Sequence, residues 1–130
     1  MIEFHLDSRS GVPAYSQLVH QVRQALRLGL LLEGDQLPTV KEVVTRLAIN
    51  PNTVLKAYRE LEYDGLVAAR PGIGTFVTKT LSDASLAAHG LLRQGLERWL
   101  GKARRAGLDD ESIEALFQDT FRSAAQEDVA

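Results

Sequence analysis

The polar residues with the most suggestive spacing are Asn50, Asn52, Thr53 and Lys56, because Val54, Ala57, Tyr58 and Leu61 recur among them at steps of three and four. A side-chain amide can make two hydrogen bonds to adenine. A hydroxyl serves several bases or a phosphate, and a lysine reaches guanine or phosphate. Asn50 is accounted for by helix capping as well as by contact, whereas Asn52 and Thr53 have no capping role to explain them. Two further groups fit the same chemistry. Thr39 and Lys41 precede this stretch, and Arg70, Gly72 and Gly74 follow it with one cation and bare backbone. These are groups that donate and accept hydrogen bonds rather than transfer protons, so the chemistry they suit is recognition.

The elements that must position them can be read from local signals. Asn50 is a good N-cap, Pro51 suits the first helical position, and Gly65 ends the helix. The free N–H groups at such a helix start favour a phosphate nearby. Ahead of it, Thr39 and Glu42 form a capping box, and Val43, Val44 and Leu47 fall on one side of a helix too short to stand without a partner. Helix, tight turn and helix make a helix-turn-helix, whose second helix places its N-terminal end in a major groove. Leu66–Arg70 and Thr75–Thr78 then pair as strands around 71–74, where glycines supply the turn. Such a hairpin can approach the sugar-phosphate chain or the minor groove.

The remaining chain frames this stretch. Residues 2–7 alternate apolar and polar and predict a short strand or an extended arm. Residues 13–30 predict a helix with an apolar stripe of Tyr15, Leu18, Val19, Val22, Leu26 and Leu30. Leu31 and Leu32 are expected beneath the turn closed by Gly34. Residues 79–84 read as a junction, with Ser82 or Asp83 capping a helix over 83–106. Gly90 and Gly95 there would allow close helix approach, and Arg98, Lys102, Arg104 and Arg105 suit its C-terminal end. A last helix is expected over 109–124, capped by Asp109 and stapled by Leu108 on Ile113, with a frayed tail from Gln126.

These two helices are a poor size for an independent core. Their apolar faces, Leu92, Leu96, Trp99, Leu100, Ile113, Leu116, Phe117 and Phe121, predict a homodimer built on residues 80–130. The expected fold is mainly α with a small β wing: a winged helix-turn-helix over 1–79, followed by a two-helix dimerisation tail over 80–130.

Composition sets limits. With 130 residues and 45% hydrophobic content the chain can build one small core and an appendage. It has no cysteine, which removes disulfides and thiolate chemistry and fits a reducing cytoplasm. No run of about 18 apolar residues is present, so no membrane span is expected, and the start Met-Ile-Glu-Phe-His is not that of a secretory signal. The net charge of −2 counts against nucleic acid, yet it is uneven. Nine basic and eight acidic residues fall in 1–80, against six and nine in 81–130. His5, His20 and His89 are scattered without ligand spacing, and no Ser, His and Asp motif appears. Neither metal, cofactor nor enzymatic activity is expected. Gly72 and Gly74 do not open a helix, which excludes a nucleotide-binding loop.

Several blocks together resemble the winged-helix domain of GntR-type bacterial transcription regulators. They are Gly34–Thr39, Asn50–Val54, Ala57-Tyr58, Leu61, Asp64–Leu66 and Gly72–Val77, and with the preceding helix they span residues 4 to 78. The short tail is similar to that of the YtrA-type subgroup, in which two helices mainly dimerise. The resemblance implies a dimer that represses transcription from a double-stranded DNA operator, with a basic residue at Lys41 contacting DNA. Pro51 and Leu55 stand where some relatives carry base-reading arginines, so readout shifts toward Lys41, Asn52, Thr53 and the wing, and the operator does not carry over. Two rival expectations stay open: a winged helix that binds protein rather than DNA, which the acidic pI favours, and a regulator sensing a small-molecule effector at its dimer interface.

Overall fold

The computed structural model describes the backbone of residues 2–81 and 86–129 and the side chains of 2–81 and 88–126. Its elements run α1 (Ala14–Arg27), α2 (Val40–Leu47), α3 (Pro51–Tyr63), β1 (Val67–Arg70), β2 (Gly74–Val77), α4 (Leu86–Arg105) and α5 (Asp110–Val129). The chain divides into two compact units, Met1–Leu86 and Ala87–Ala130.

In the first unit three helices enclose one core. Leu18, Val22 and Leu26 of α1, Val43 of α2, and Val54, Ala57 and Leu61 of α3 are buried, joined by Leu37, Leu66, Val67 and Val77. A fully buried side chain of this size contributes roughly 1.5–3 kcal/mol. Helix α1 stops at Arg27, earlier than its periodicity predicts. The chain turns at Gly29, and the N–H groups of Leu30 and Leu31 both reach the Ala25 carbonyl, at 2.9 and 3.2 Å. That turn resets the phase of the apolar stripe. Leu31 is buried, but Leu30 is 62% exposed and Leu32 49% exposed, against expectation.

Residues 2–7 form an extended arm rather than a strand. Its partners are two side-chain amides of α1. Gln21 accepts the His5 N–H at 3.1 Å and donates to the His5 carbonyl at 2.7 Å. Gln17 does the same for Asp7, at 2.8 and 3.0 Å. Residues 5 and 7 share one side of an extended chain, and 17 and 21 share one face of a helix. The two repeats therefore match, and Phe4, on the opposite side of the arm, goes into the core.

The second unit holds α4 and α5. Ala103 and Ile113 are buried. Asp109 caps α5 as expected, accepting the Ser112 N–H at 2.8 Å. That hydrogen bond holds its carboxyl below the usual carboxylate range. Helix α5 continues to Val129, past the expected end at 124 and through the tail expected to fray. Alanine, glutamine and glutamate over 124–127 are all sound helix formers. The expected caps Ser82 and Asp83 lie outside the described residues. Among the described residues, a Cβ added at Gly90 would meet nothing within 4 Å, and one at Gly95 would meet Arg98 Nη2 at 3.8 Å.

Candidate nucleic-acid interface

Local capping sets the two helices of the turn. Thr39 Oγ1 accepts the Glu42 N–H at 3.1 Å, which starts α2. Its hydroxyl proton remains available to a further acceptor. Ala48 then takes a left-handed conformation, φ 53°, with its N–H on the Val44 carbonyl at 2.9 Å, and the chain reverses sharply. Asn50 Oδ1 accepts the Asn52 N–H at 2.8 Å and opens α3. Behind the turn, the buried Tyr58 hydroxyl donates to the Pro38 carbonyl at 2.6 Å. Burial, with Glu42 adding to it, pushes the Tyr58 phenol well above its ordinary range, so it stays a donor. This bond ties the middle of α3 to the residue just before the α2 cap.

The consequence is a polar start to α3 that nothing in its own core consumes. Asn52 is exposed and Thr53 half-buried, while Val54, Ala57, Tyr58 and Leu61 face inward. Lys41 is exposed in the first turn of α2. Asn50 is also exposed, but its side-chain oxygen is engaged as the cap. Lys56 is exposed and leans on α1, its ammonium 3.8 Å from the centre of the Tyr15 ring.

The wing is fastened to α3. The helix closes with the Leu66 N–H on the Leu61 carbonyl and the Gly65 N–H on the Glu62 carbonyl, both at 3.0 Å, around a Gly65 φ of +78°. Glu62 then accepts the Ala69 N–H of β1 at 2.8 Å. Thr78 Oγ1 returns to the Gly65 carbonyl at 3.0 Å. Strands β1 and β2 pair antiparallel, Val67 opposite Val77 and Arg70 opposite Gly74. The segment 34–37 lines the other edge of β2, with the Leu37 N–H on the Thr75 carbonyl and the Val77 N–H on the Asp35 carbonyl, both at 2.8 Å. Arg70 lies along the hairpin with its guanidinium 4.6 Å from the Phe76 ring centre. Gly72 is exposed at the tip, and Gly74 holds a φ of +148° that favours glycine, with the Gln36 amide lying over it.

The structure thus gathers Thr39, Lys41, Asn50, Asn52, Thr53, Lys56, Arg70, Gly72 and Gly74 into one unit. The sequence placed Tyr15 on an apolar stripe and gave no sign that it would meet Lys56, or that Gln36 would reach Ile73. Ile73, between the two glycines of the wing tip, is 65% exposed. Among the described residues no cluster of His, Asp or Glu could hold a metal ion, and no helix is long and apolar enough to cross a membrane.

Residues 14–77 match the family model for bacterial regulatory proteins of the gntR family. The HTH-type transcriptional repressor YtrA of Bacillus subtilis (strain 168) is 33% identical over 112 residues, covering 83% of this chain and 84% of its own. The chain belongs to the GntR family. Its winged helix-turn-helix with C-terminal helices is also that of solved relatives. YtrA from Sulfolobus acidocaldarius, a GntR-family transcription factor, is 28% identical, with 75% of this chain and 97% of that one covered and a TM-score of 0.55. AraR(DBD), solved in complex with operator ORE1, is 27% identical over 60% of this chain and 95% of its own, with a TM-score of 0.50. The GntR relatives are named as transcriptional regulators and not as enzymes.

Proposed function

We propose that this GntR-type DNA-binding transcriptional regulator works in the cytoplasm as a dimeric repressor of a pseudo-palindromic operator. Residues 1–79 bind DNA and residues 80–130 pair the subunits. Each subunit lays the start of α3 in a major groove, where Asn52 and Thr53 read bases while Lys41, Lys56 and Thr39 hold phosphates. Arg70, Gly72 and Gly74 bring the wing against the neighbouring backbone or minor groove. Half-sites then lie about one helical turn apart.

The observation that carries this reading is the division of α3: an apolar face fully used by the core, and a start whose amide and hydroxyl side chains are left to face outward. The fastening of the wing to α3 through Glu62 and Thr78 supports it, because two elements that read one duplex need a fixed spacing. The name of the Bacillus subtilis relative supports repression. Dimerisation is supported by the second unit, where Leu92 is 73% exposed and Leu96, Leu116, Phe117 and Phe121 are also exposed.

An anisotropy titration with promoter DNA at two salt concentrations tests the proposal. Tight binding to one sequence, falling as salt rises, is expected. Equal weak binding to every sequence would overturn it and favour a winged helix that contacts protein.

One observation favours an effector as well. An open groove of about 370 Å³ between α4 and α5 is lined by Leu96, Trp99, Leu116, Phe117 and Phe121. Its size and apolar walls suit a small ligand. A ligand that raises the melting temperature and releases the operator would establish it.

A further inference from the structure

We propose that Ile73 makes the wing a reader of the minor groove, accepting A·T and rejecting G·C at the base pair beneath it. This rests on the DNA-binding reading above. The tip Pro71-Gly72-Ile73-Gly74 presents one large side chain with a glycine on either side. That side chain is 65% exposed and contributes little to the core of its own chain.

Its backbone is nonetheless pinned. The Ile73 N–H donates to the Arg70 carbonyl at 2.9 Å, and its carbonyl accepts from Gln36 Nε2 at 3.3 Å. The Gln36 amide reaches over Gly74, so the residue that aims the tip and the glycine that admits it work together. A branched aliphatic group is thus held outward at the end of a fixed hairpin.

A phosphate contact is a poor use of this tip. Arg70 is the cation of the hairpin, and its guanidinium is laid back on Phe76 rather than carried to the end. A groove floor suits the tip better. The minor groove is about 6 Å wide, and a tip with one side chain between two glycines is narrow enough to enter it. There A·T pairs present adenine N3 and thymine O2, which do not project. G·C pairs add the guanine N2 amino group, which stands up from the floor. An isoleucine seated above it loses close packing and strips water from a donor it cannot satisfy. The side chain therefore discriminates by exclusion.

The test begins with sites selected from a random DNA pool by the full-length protein. Each A·T pair of the selected site is then exchanged for G·C and, separately, for inosine·C. Inosine keeps the major-groove edge of guanine but lacks the N2 amino group. At the pair under the wing, G·C should lower affinity about fivefold or more and inosine·C should restore most of it. Pairs read by α3 should suffer equally from both exchanges. Ile73→Ala should reduce the G·C penalty under the wing to less than twofold with no change in melting temperature, whereas Asn52→Ala should leave that penalty in place. If no position is rescued by inosine, or if Ile73→Ala keeps the full penalty while sequence-specific binding persists, the inference is overturned and the regulator reading stands. A pool that yields no preferred site overturns both.

Discussion

Lys56 holds its ammonium 3.8 Å from the centre of the Tyr15 ring, joining helix α3 to α1 by a cation–π contact. Tyr15 is half-buried, so the ring is a fixed platform and the lysine is not a free tether. Exposed contacts of this kind are worth about 0.5–1 kcal/mol. The ammonium still has protons to offer on the side away from the ring. In the proposed interface the contact would hold Lys56 in place for a phosphate.

Lys56→Ala should therefore weaken binding to operator and scrambled DNA alike. The slope of log affinity against log salt should shrink by about 0.9, the share of one phosphate contact. Tyr15→Phe keeps the ring and should leave the slope unchanged, while Tyr15→Leu should lower affinity by part of the Lys56→Ala loss. Anisotropy across a salt series measures all three. A slope identical to wild type in Lys56→Ala would remove this residue from the interface.

Asn50 and Asn52 separate capping from readout. Asn50 Oδ1 takes the Asn52 N–H at 2.8 Å, so its side-chain oxygen is spoken for. Asn50→Ala should cost about 1 kcal/mol of stability, seen as a lower melting temperature, with selectivity between operator and scrambled DNA retained by the folded fraction. Asn52→Ala should do the reverse: an unchanged melting temperature and about 1–3 kcal/mol less discrimination. Discrimination that survives Asn52→Ala would place the readout elsewhere on α3 or on the wing.

These two residues also mark what could be read from the sequence. Thr39, Asn50 and Gly65 act on backbone within a few positions of themselves, so their types and spacing announced the turn and its two helices. The partners that join distant segments were not legible. Gln17 and Gln21 replace a strand partner for the arm, and Gln36 crosses to Ile73 at the wing tip. A glutamine amide can serve any backbone within reach, so its type does not name its partner. Leu30 and Leu32 were misjudged for a related reason: the turn at Gly29 shifts the phase of the apolar pattern, and only Leu31 of the three keeps an inward position.

Tyr58 gives the first unit a pH dependence with a defined sign. Burial, and then Glu42, raise its phenol above the ordinary value near 10. A group whose folded pKa is raised favours folding while protonated. Its contribution is complete below about pH 10 and declines as pH rises beyond that value toward the folded pKa. Tyr58→Phe removes this alkaline loss but leaves the buried Pro38 carbonyl without its 2.6 Å donor. The variant should be about 1–3 kcal/mol less stable near neutrality. Its stability above pH 10 should fall less steeply than that of the wild type. Urea titrations at neutral and alkaline pH compare the slopes, and parallel profiles would show that the phenol does not carry the dependence.

Phe117 and Phe121 stack on α5 with ring centres 6.0 Å apart and planes inclined by 20°. With Leu96, Trp99 and Leu116 they line the apolar groove of the second unit. Phe117 is 42% and Phe121 65% exposed, although each carries a large apolar surface that water disfavours. A second copy of α4 and α5 is the occupant that the proposed dimer supplies. Phe117→Asp would place an unpaired charge in that interface, and light scattering at micromolar concentration should then report the monomer mass. The first unit has its own core, so its melting behaviour should persist in the variant. Affinity for a full operator should drop toward that for an isolated half-site, because the linked second binding event is lost. A dimer that survives both Phe117→Asp and Leu96→Asp would mean that subunits pair through some other surface. An operator affinity untouched in a proven monomer would mean that one subunit alone reads the site.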